Sequence, residues 1–214
     1  MNITIIGTGK MARGIGTRLV AGGNSVTLLS RNPEKGADLA ANLQAAARKA
    51  ASAQAVPFGS PIQDEVVVLA VPYNEVAETL QPYTEQLTGK ILVDITNPVN
   101  ATFDGLATPP DSSAAQEIAS LVPAETRVVK AFNTTFAGPL VKGQVAGQPL
   151  DVFITGDDDA AKGTVSQLVE AGGLRVIDAG PLAHAHYLEG LAFLGMKLQS
   201  TLGTQFQSAW KFLS

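Results

Sequence analysis

Asn2-Ile3-Thr4-Ile5-Ile6-Gly7-Thr8-Gly9-Lys10-Met11-Ala12 is the stretch from which the fold can be read. After Asn2 the next four residues are all β-branched and contain no turn former, the composition of a strand buried on both faces. At Gly7 the pattern becomes G-x-G-x-x-A, and each small residue answers a separate steric demand. Gly7 permits a tight turn out of the strand, Gly9 lets backbone approach a pyrophosphate, and Ala12 lets the following helix lie close to the sheet. Met11, Ile15 and Leu19 then recur at helical spacing until Ala21-Gly22-Gly23-Asn24 stops the helix. A second β-rich run, Ser25 to Leu29, follows at the length of a compact βαβ unit. In this context the glycine pattern reads as a dinucleotide grip, with the helix N-terminal amides facing the phosphates.

The end of the second strand decides which dinucleotide. NAD enzymes usually place Asp or Glu there to bind the ribose 2′-hydroxyl. This chain reads Ser30-Arg31-Asn32-Pro33-Glu34-Lys35 instead. A hydroxyl, a guanidinium and a nearby ammonium favour the 2′-phosphate of NADP(H), with Arg31 suited to bidentate contact and to stacking on adenine. Asn32 and Pro33 also read as the N-cap and first residue of a helix, which leaves Ser30 and Arg31 free.

The 214 residues can bury one large core with a modest appendage. A net charge of −4 argues against nucleic acid and anionic membrane as partners. The absence of cysteine removes disulfides, thiolate catalysis and cysteine-ligated metals. No charged leader precedes the first strand and no apolar run is long enough to span a bilayer, so a soluble cytoplasmic protein is the expectation.

Further strands are expected at Glu65–Ala70, Lys90–Val93, Arg127–Ala131, Asp151–Thr155 and Leu174–Ile177, giving seven strong strands in α/β alternation without an internal repeat. The class is a Rossmann-type, doubly wound, mostly parallel sheet. The expected division is a nucleotide-binding domain over 1–180 and a helical extension over 181–214. Helices are expected over Glu34–Ala55, Glu75–Leu87 and Ser113–Leu121, a short edge strand at Val56-Pro57-Phe58, and irregular chain over Gly138–Pro149. From His184 to Leu213 apolar residues including Phe206 and Trp210 recur at helical spacing, which reads as core cover or as an interface and is compatible with a homodimer.

In an open α/β sheet, ligands bind beyond the carboxyl ends of the strands. That rule brings Ala70, Val71, Pro72 and Tyr73 near a cofactor, although Pro72 also reads as turn punctuation and Tyr73 as a half-buried ring. Asp94 reads as a backbone acceptor or cap rather than an acid. Asn97 has an amide suited to a nicotinamide carboxamide or ribose, and Asn133 with Thr134 forms another polar cluster. Phe132 and Phe136 also read as core aromatics. Asp157-Asp158-Asp159 lacks calcium-loop spacing and reads as an acidic helix start. His184 and His186 have no further ligands at metal spacing, so no metal is expected.

Gly7-Thr8-Gly9-Lys10-Met11-Ala12, Ser30-Arg31-Asn32, Ala70-Val71-Pro72, Asp94-Ile95-Thr96-Asn97-Pro98, Val129-Lys130-Ala131-Phe132-Asn133-Thr134, Gly156-Asp157-Asp158 and Asp178-Ala179-Gly180-Pro181-Leu182 together resemble the deazaflavin (coenzyme F420)-dependent NADP oxidoreductase family. They are also similar to the reductase domain of the six-transmembrane epithelial antigen metalloreductases, which share Lys-Ala-Phe-Asn-Thr. The resemblance implies hydride transfer between NADP(H) and a deazaflavin or flavin, achieved by positioning and without a catalytic acid–base residue. It implies Thr8, Lys10 and Met11 at the pyrophosphate, Ser30, Arg31 and Lys35 at the 2′-phosphate, and Asn97 and Asn133 beside the nicotinamide. Thr134, Pro181 and Leu182 would lie on the acceptor side. Two alternatives stand beside this one: an NADP(H)-binding regulatory or sensor protein with little turnover, and, less favoured for want of a proton donor, a small-substrate dehydrogenase.

Replacing Arg31 with Ala is expected to weaken NADPH binding by about 1.5–3 kcal/mol, the scale of a charge-assisted hydrogen bond. NADH binding should change much less; equal losses in titrations of both dinucleotides would refute the 2′-phosphate assignment.

Overall fold

A computed structural model describes residues 1–48 and 50–213. Strand β1 (Asn2–Ile6) pairs in parallel with β2 (Ser25–Ser30) on one side and β4 (Val66–Leu69) on the other. With β3 (Ala53–Pro57), β5 (Ile91–Asp94), β6 (Arg127–Lys130), β9 (Asp151–Gly156) and β10 (Arg175–Asp178) they form one sheet in the order β10-β9-β6-β5-β4-β1-β2-β3. Every pairing is parallel except β6 with β9. A separate hairpin joins β7 (Gln144–Val145) to β8 (Gln148–Pro149).

Both faces of the central strands are apolar, and the side-chain period of two divides them. Ile3, Ile5, Val66, Val68, Ile91 and Val93 face helices α1 (Lys10–Ala21), α2 (Pro33–Ala46), α5 (Ala137–Lys142) and α6 (Asp159–Ala171). Ile6, Val67, Leu69 and Leu92 face α3 (Val76–Leu80) and α4 (Ala114–Leu121). On α1, Ile15 and Leu19 are buried against the sheet, each contributing about 1.5–3 kcal/mol of burial. Gly14 and Gly16 let α5 and α2 close on α1: a Cβ on Gly14 would lie 2.8 Å from Leu140 Cβ, and one on Gly16 2.7 Å from a Leu43 methyl. The helix ends where Gly22 donates to Arg18 O and Gly23 enters the left-handed region at φ +85°.

The sheet meets the expected class, with departures at its margins. The alanine-rich segment read as one helix to Ala55 stops at Ala46, and Ala53–Pro57 forms edge strand β3 in register with β2. Its pairing overrides weak local preference, and Pro57 is tolerated as the last residue of an edge. The helix expected over Glu75–Leu87 is regular only in α3, flanked by 3₁₀ turns at Tyr73–Glu75 and Gln81–Leu87. Pro82 has no N–H to continue the ladder. Within 138–149, expected to be irregular, α5 runs to Lys142 and ends at Gly143, φ +77°.

The C-terminal periodicity also misleads past residue 202. Helix α7 (Ala185–Leu202) ends at Gly203, φ +62°, and the following segment folds back on it. There Phe206 meets Phe136 edge-on at 5.1 Å, and Trp210 Nε1 lies 3.0 Å from where a Cβ on Gly195 would stand. The tail is fixed by Asp151, whose side chain is fully buried. It accepts from Arg175 at 2.6 and 2.8 Å, from Lys211 Nζ at 2.6 Å and from Phe212 N at 2.8 Å. No helix among the described residues is long and apolar enough to cross a membrane.

Burial alone would raise the Asp151 pKa, but the bonds from Arg175, Lys211 and the Phe212 amide outweigh it and bring it from 3.8 to about 2. A depressed carboxylate stabilises the fold fully above 3.8, and that stabilisation is lost as pH falls through about 2. Asp151→Asn should cost about 1.5–3 kcal/mol at neutral pH, the scale of hydrogen bonds to charged groups. Thermal unfolding midpoints measured against pH should show a flatter acid limb in the variant; parallel acid limbs would refute the anchor.

Candidate active site

The strand order reverses between β1, which continues to β2, and β4, and a cleft opens beyond their carboxyl ends, as expected at such a switch point. Gly7 is held there by its neighbours. Its φ is +117°, its N–H donates to Leu29 O, and a Cβ would stand 2.4 Å from Ala70 O, a backbone atom that cannot yield. Gly9 differs, since nothing lies within 4 Å of its Cβ position and its φ is an ordinary −78°. It is the N-cap of α1 and offers no side-chain oxygen, so the first-turn amides are left for another acceptor.

The cleft holds about 700 Å³. Gly9, Lys10 and Met11 make one wall, Ala70 to Asn74 a second, and Ile95, Thr96, Asn97, Val99 and Ala101 a third. Val99 and Ala101 come from the loop after β5, which closes through the Val99–Leu106 bridge and is met by Lys197 of α7 at Phe103 O, 3.2 Å away. Tyr73 donates its hydroxyl to the Glu117 carboxylate on α4. Burial first, then this bond and the Glu117 charge, push the phenol up to about 12, so it stays protonated through the neutral range.

The third wall is set from beneath by a buried ion cluster. Lys130, at the end of β6, is fully buried and its Nζ meets Asp94 Oδ2 at 2.8 Å, Glu189 Oε1 at 2.7 Å and Thr96 O at 2.6 Å. Asp94 also accepts from Thr96 N at 2.8 Å, the backbone-acceptor role expected for it. Glu189 comes from α7 and receives the Ala114 and Ala115 amides at the start of α4, at 3.1 and 3.4 Å. Burial raises the Glu189 pKa; the Lys130 charge and the hydrogen bonds pull it only part of the way back.

Beyond β6, Phe132 has φ +61°, a left-handed backbone that a bulky residue rarely adopts, and its carbonyl accepts both Thr135 N and Thr135 Oγ1. This turn returns Asn133 to Asn97. Asn97 donates to Asn133 O at 2.9 Å, and Asn133 donates to Asn97 Oδ1 at 3.0 Å. Three buried oxygens nearby, Thr96 Oγ1, Asn133 Oδ1 and Thr134 Oγ1, have no partner among the described residues. Buried polar atoms are seldom left so, and here three of them stand on adjoining strand ends.

The residues singled out from the sequence therefore fall into groups. Gly9, Lys10, Met11, Ala70, Val71, Pro72 and Asn97 line the cleft, while Gly7, Thr8 and Ala12 support that wall. Asn133 and Thr134 are buried behind the lining. Leu182, expected on the acceptor side, is a core residue with 6% exposure, packed among residues such as Val67 and Ala185, and Pro181 lies exposed on the turn before it. Ser30, expected to offer its hydroxyl, spends it on Asn32, donating to the carbonyl at 2.6 Å and accepting from the amide at 3.2 Å. Asn32 caps α2 through Lys35 N at 3.0 Å. Arg31 is tied to Glu75 at 3.1 Å and Lys35 is exposed. Asp158 caps α6 through Ala161 N. The sequence reading missed Lys130 and Glu189. A lysine in Val128-Val129-Lys130-Ala131, a strand apolar on both faces, was the available signal, because a buried ammonium demands partners.

A family model described as NADP oxidoreductase, coenzyme F420-dependent, matches residues 2–98. An F420-dependent NADP reductase of Methanothermobacter marburgensis is 32% identical over 209 residues, covering 92% of this chain and 92% of that relative. The metalloreductase STEAP3 of Rattus norvegicus is 40% identical over 189 residues; these are 88% of this chain but 36% of the relative, so the chain spans little more than a third of it. A crystal structure from Arthrobacter sp. FB24, provisionally described as an F420-dependent NADP-reductase, matches with a TM-score of 0.83 at 29% identity and covers 99% of both chains.

Removing Lys130 would leave two carboxylates facing each other without a counter-charge. Lys130→Met should therefore cost about 3–5 kcal/mol in urea unfolding at neutral pH. A carboxylic acid with a raised pKa contributes stability in full below its unfolded value and loses it as pH rises through the folded one. The deficit of Lys130→Met should accordingly shrink in mild acid, where Glu189 takes up a proton; a deficit independent of pH would contradict the cluster's charge state.

Proposed function

The chain belongs to the coenzyme F420-dependent NADP oxidoreductase family, and from that premise we propose that it transfers a hydride between NADP(H) and a deazaflavin or flavin seated over the cleft. The observation that carries this reading is the lining. Apart from Lys10 and Tyr73, the cleft presents only apolar, amide and hydroxyl side chains among the described residues. Such a surface suits the stacking of two rings with water excluded and provides no proton relay.

The fit of the dinucleotide rests on the chain's own groups. Gly9 leaves open space where a pyrophosphate would approach, and the amides at the start of α1 with Lys10 meet its charge. The unpartnered Thr96 and Asn133 oxygens suit the amide N–H groups of a nicotinamide carboxamide. Arg31, with Lys35, would take the 2′-phosphate. When bound, NADPH supplies the hydride from its nicotinamide C4. The third wall would hold the ring; there the Lys130 cluster fixes the Thr96 carbonyl and the Asn97–Asn133 pair fixes the two strand ends. Thr134 on the acceptor side, and a soluble protein working on small molecules, belong to the same proposal.

NADPH oxidation should be followed with the deazaflavin coenzyme, FMN, FAD and ferric chelates offered in parallel. Saturable turnover with a deazaflavin or flavin is expected. Tight NADPH binding without turnover on any of them would favour a sensor. Tyr73→Phe should leave kcat unchanged, because hydride transfer between stacked rings calls on no proton donor and the Tyr73 hydroxyl is directed to Glu117; a fall of about 10²-fold or more, the scale of general acid catalysis, would restore a proton-donor role.

A further inference from the structure

Arg31 leaves the end of β2 with its guanidinium 4.8 Å above the centre of the Phe58 ring, which Tyr83 braces edge-on at 5.3 Å. Its Nη1 meets Glu75 Oε2 at 3.1 Å, and its Nη2 donates to Thr79 Oγ1 at 3.0 Å and lies 3.8 Å from Glu78 Oε1. Glu75 and Glu78 pair with no other cation among the described residues. Glu75 directly follows Asn74, the last residue of the second cleft wall, so the ion pair ties the end of β2 to that wall.

This arrangement is not a vacant anion cradle. Arg31 already faces the carboxylates of Glu75 and Glu78, and the Ser30 hydroxyl is already committed to the Asn32 backbone. A phosphate that takes Arg31 end-on through Nη1 and Nη2 meets Glu75 at Nη1. It must displace that carboxylate or sit beside it, and each course is unfavourable for a dianion and absent for a hydroxyl. A ribose 2′-hydroxyl can instead donate to a carboxylate.

We infer that Glu75 is a specificity-determining residue: its carboxylate competes with the 2′-phosphate for Arg31 and narrows the preference for NADPH over NADH. The inference rests on the assignment of the 2′-phosphate to Arg31 under the proposed function. Glu78, farther from the guanidinium and more exposed, acts in the same direction through space. Thr79 and Phe58 make no such demand and keep Arg31 in place when the carboxylate is removed.

The test is a double-mutant cycle read as dissociation constants for NADPH and NADH, from titrations of the full chain, wild type, Glu75→Gln, Arg31→Ala and the double variant. Glu75→Gln should tighten NADPH about two- to fivefold, the range of half-exposed ion pairs, and should not tighten NADH. The gain should shrink at high salt and vanish in the Arg31→Ala background. Weaker NADPH binding by Glu75→Gln would overturn the inference and make Glu75 a brace that positions Arg31. If Arg31→Ala leaves the ratio of NADPH to NADH affinity unchanged, the phosphate assignment itself fails and takes the inference with it. Unfolding midpoints of the variants separate these outcomes from loss of the fold.

Discussion

A single buried ammonium connects the parts of this protein that come together last in the sequence. Lys130 gathers Asp94, Glu189 and the Thr96 carbonyl in a space closed to water. Taking three charges out of water is expensive, and good geometry only offsets that cost. What the cluster provides is position. Thr96 belongs to the wall of the cleft, Asp94 to the strand end beneath it and Glu189 to the C-terminal helix, and the Glu189 carboxylate also satisfies the first amides of α4. One cation thus fixes a helix, the start of another helix and a strand end in a common frame. An apolar residue in its place would pack without specifying that frame.

The second constraint is steric and lies at the other side of the cleft. Gly7 and Gly9 are two residues apart and answer different needs. At Gly7 a side chain would strike the Ala70 carbonyl, so the glycine belongs to the closeness of β1 and β4. At Gly9 a side chain would meet nothing belonging to the protein, and the bareness of the backbone there has meaning only for something that arrives from outside. The strained Phe132 completes the picture: a bulky residue kept at φ +61° is tolerable because Thr135 holds its carbonyl twice, and the reward is an Asn133 that reaches Asn97.

Legibility followed the range of the forces involved. β1, α1 and β2 could be bounded within about a residue, because strand composition, the glycine turn and helical spacing all agree locally. β3 was hidden in an alanine-rich run, since only register with β2 makes Ala53–Pro57 a strand. Phe206 and Trp210 continued the periodicity of α7 by coincidence, and a left-handed Gly203 sends them back against Phe136 and Gly195. Within the site, residues next to a strand end could be named from topology alone. The partnerships could not: Lys130 finds Glu189 59 residues away, and Arg31 finds Glu75 44 away. Leu182 fills the core for the same reason, its neighbours lying far off in sequence, whereas the Ser30 hydroxyl is taken by a local turn with Asn32.

The reversed pairing of β6 with β9 reaches beyond the topology of the sheet. Because β9 runs backwards, with Thr155 opposite Lys130, its first residue, Asp151, lies beyond Lys130, at the edge where the parallel strands deliver their ends to the cleft. The tail that Asp151 clips therefore returns to the working edge, and Phe206 leans on Phe136 just past the Asn133 turn. Residues that look peripheral by their number thus act as an outer buttress: Phe206 backs the segment that follows the Asn133 turn, and Trp210 packs at Gly195 of α7.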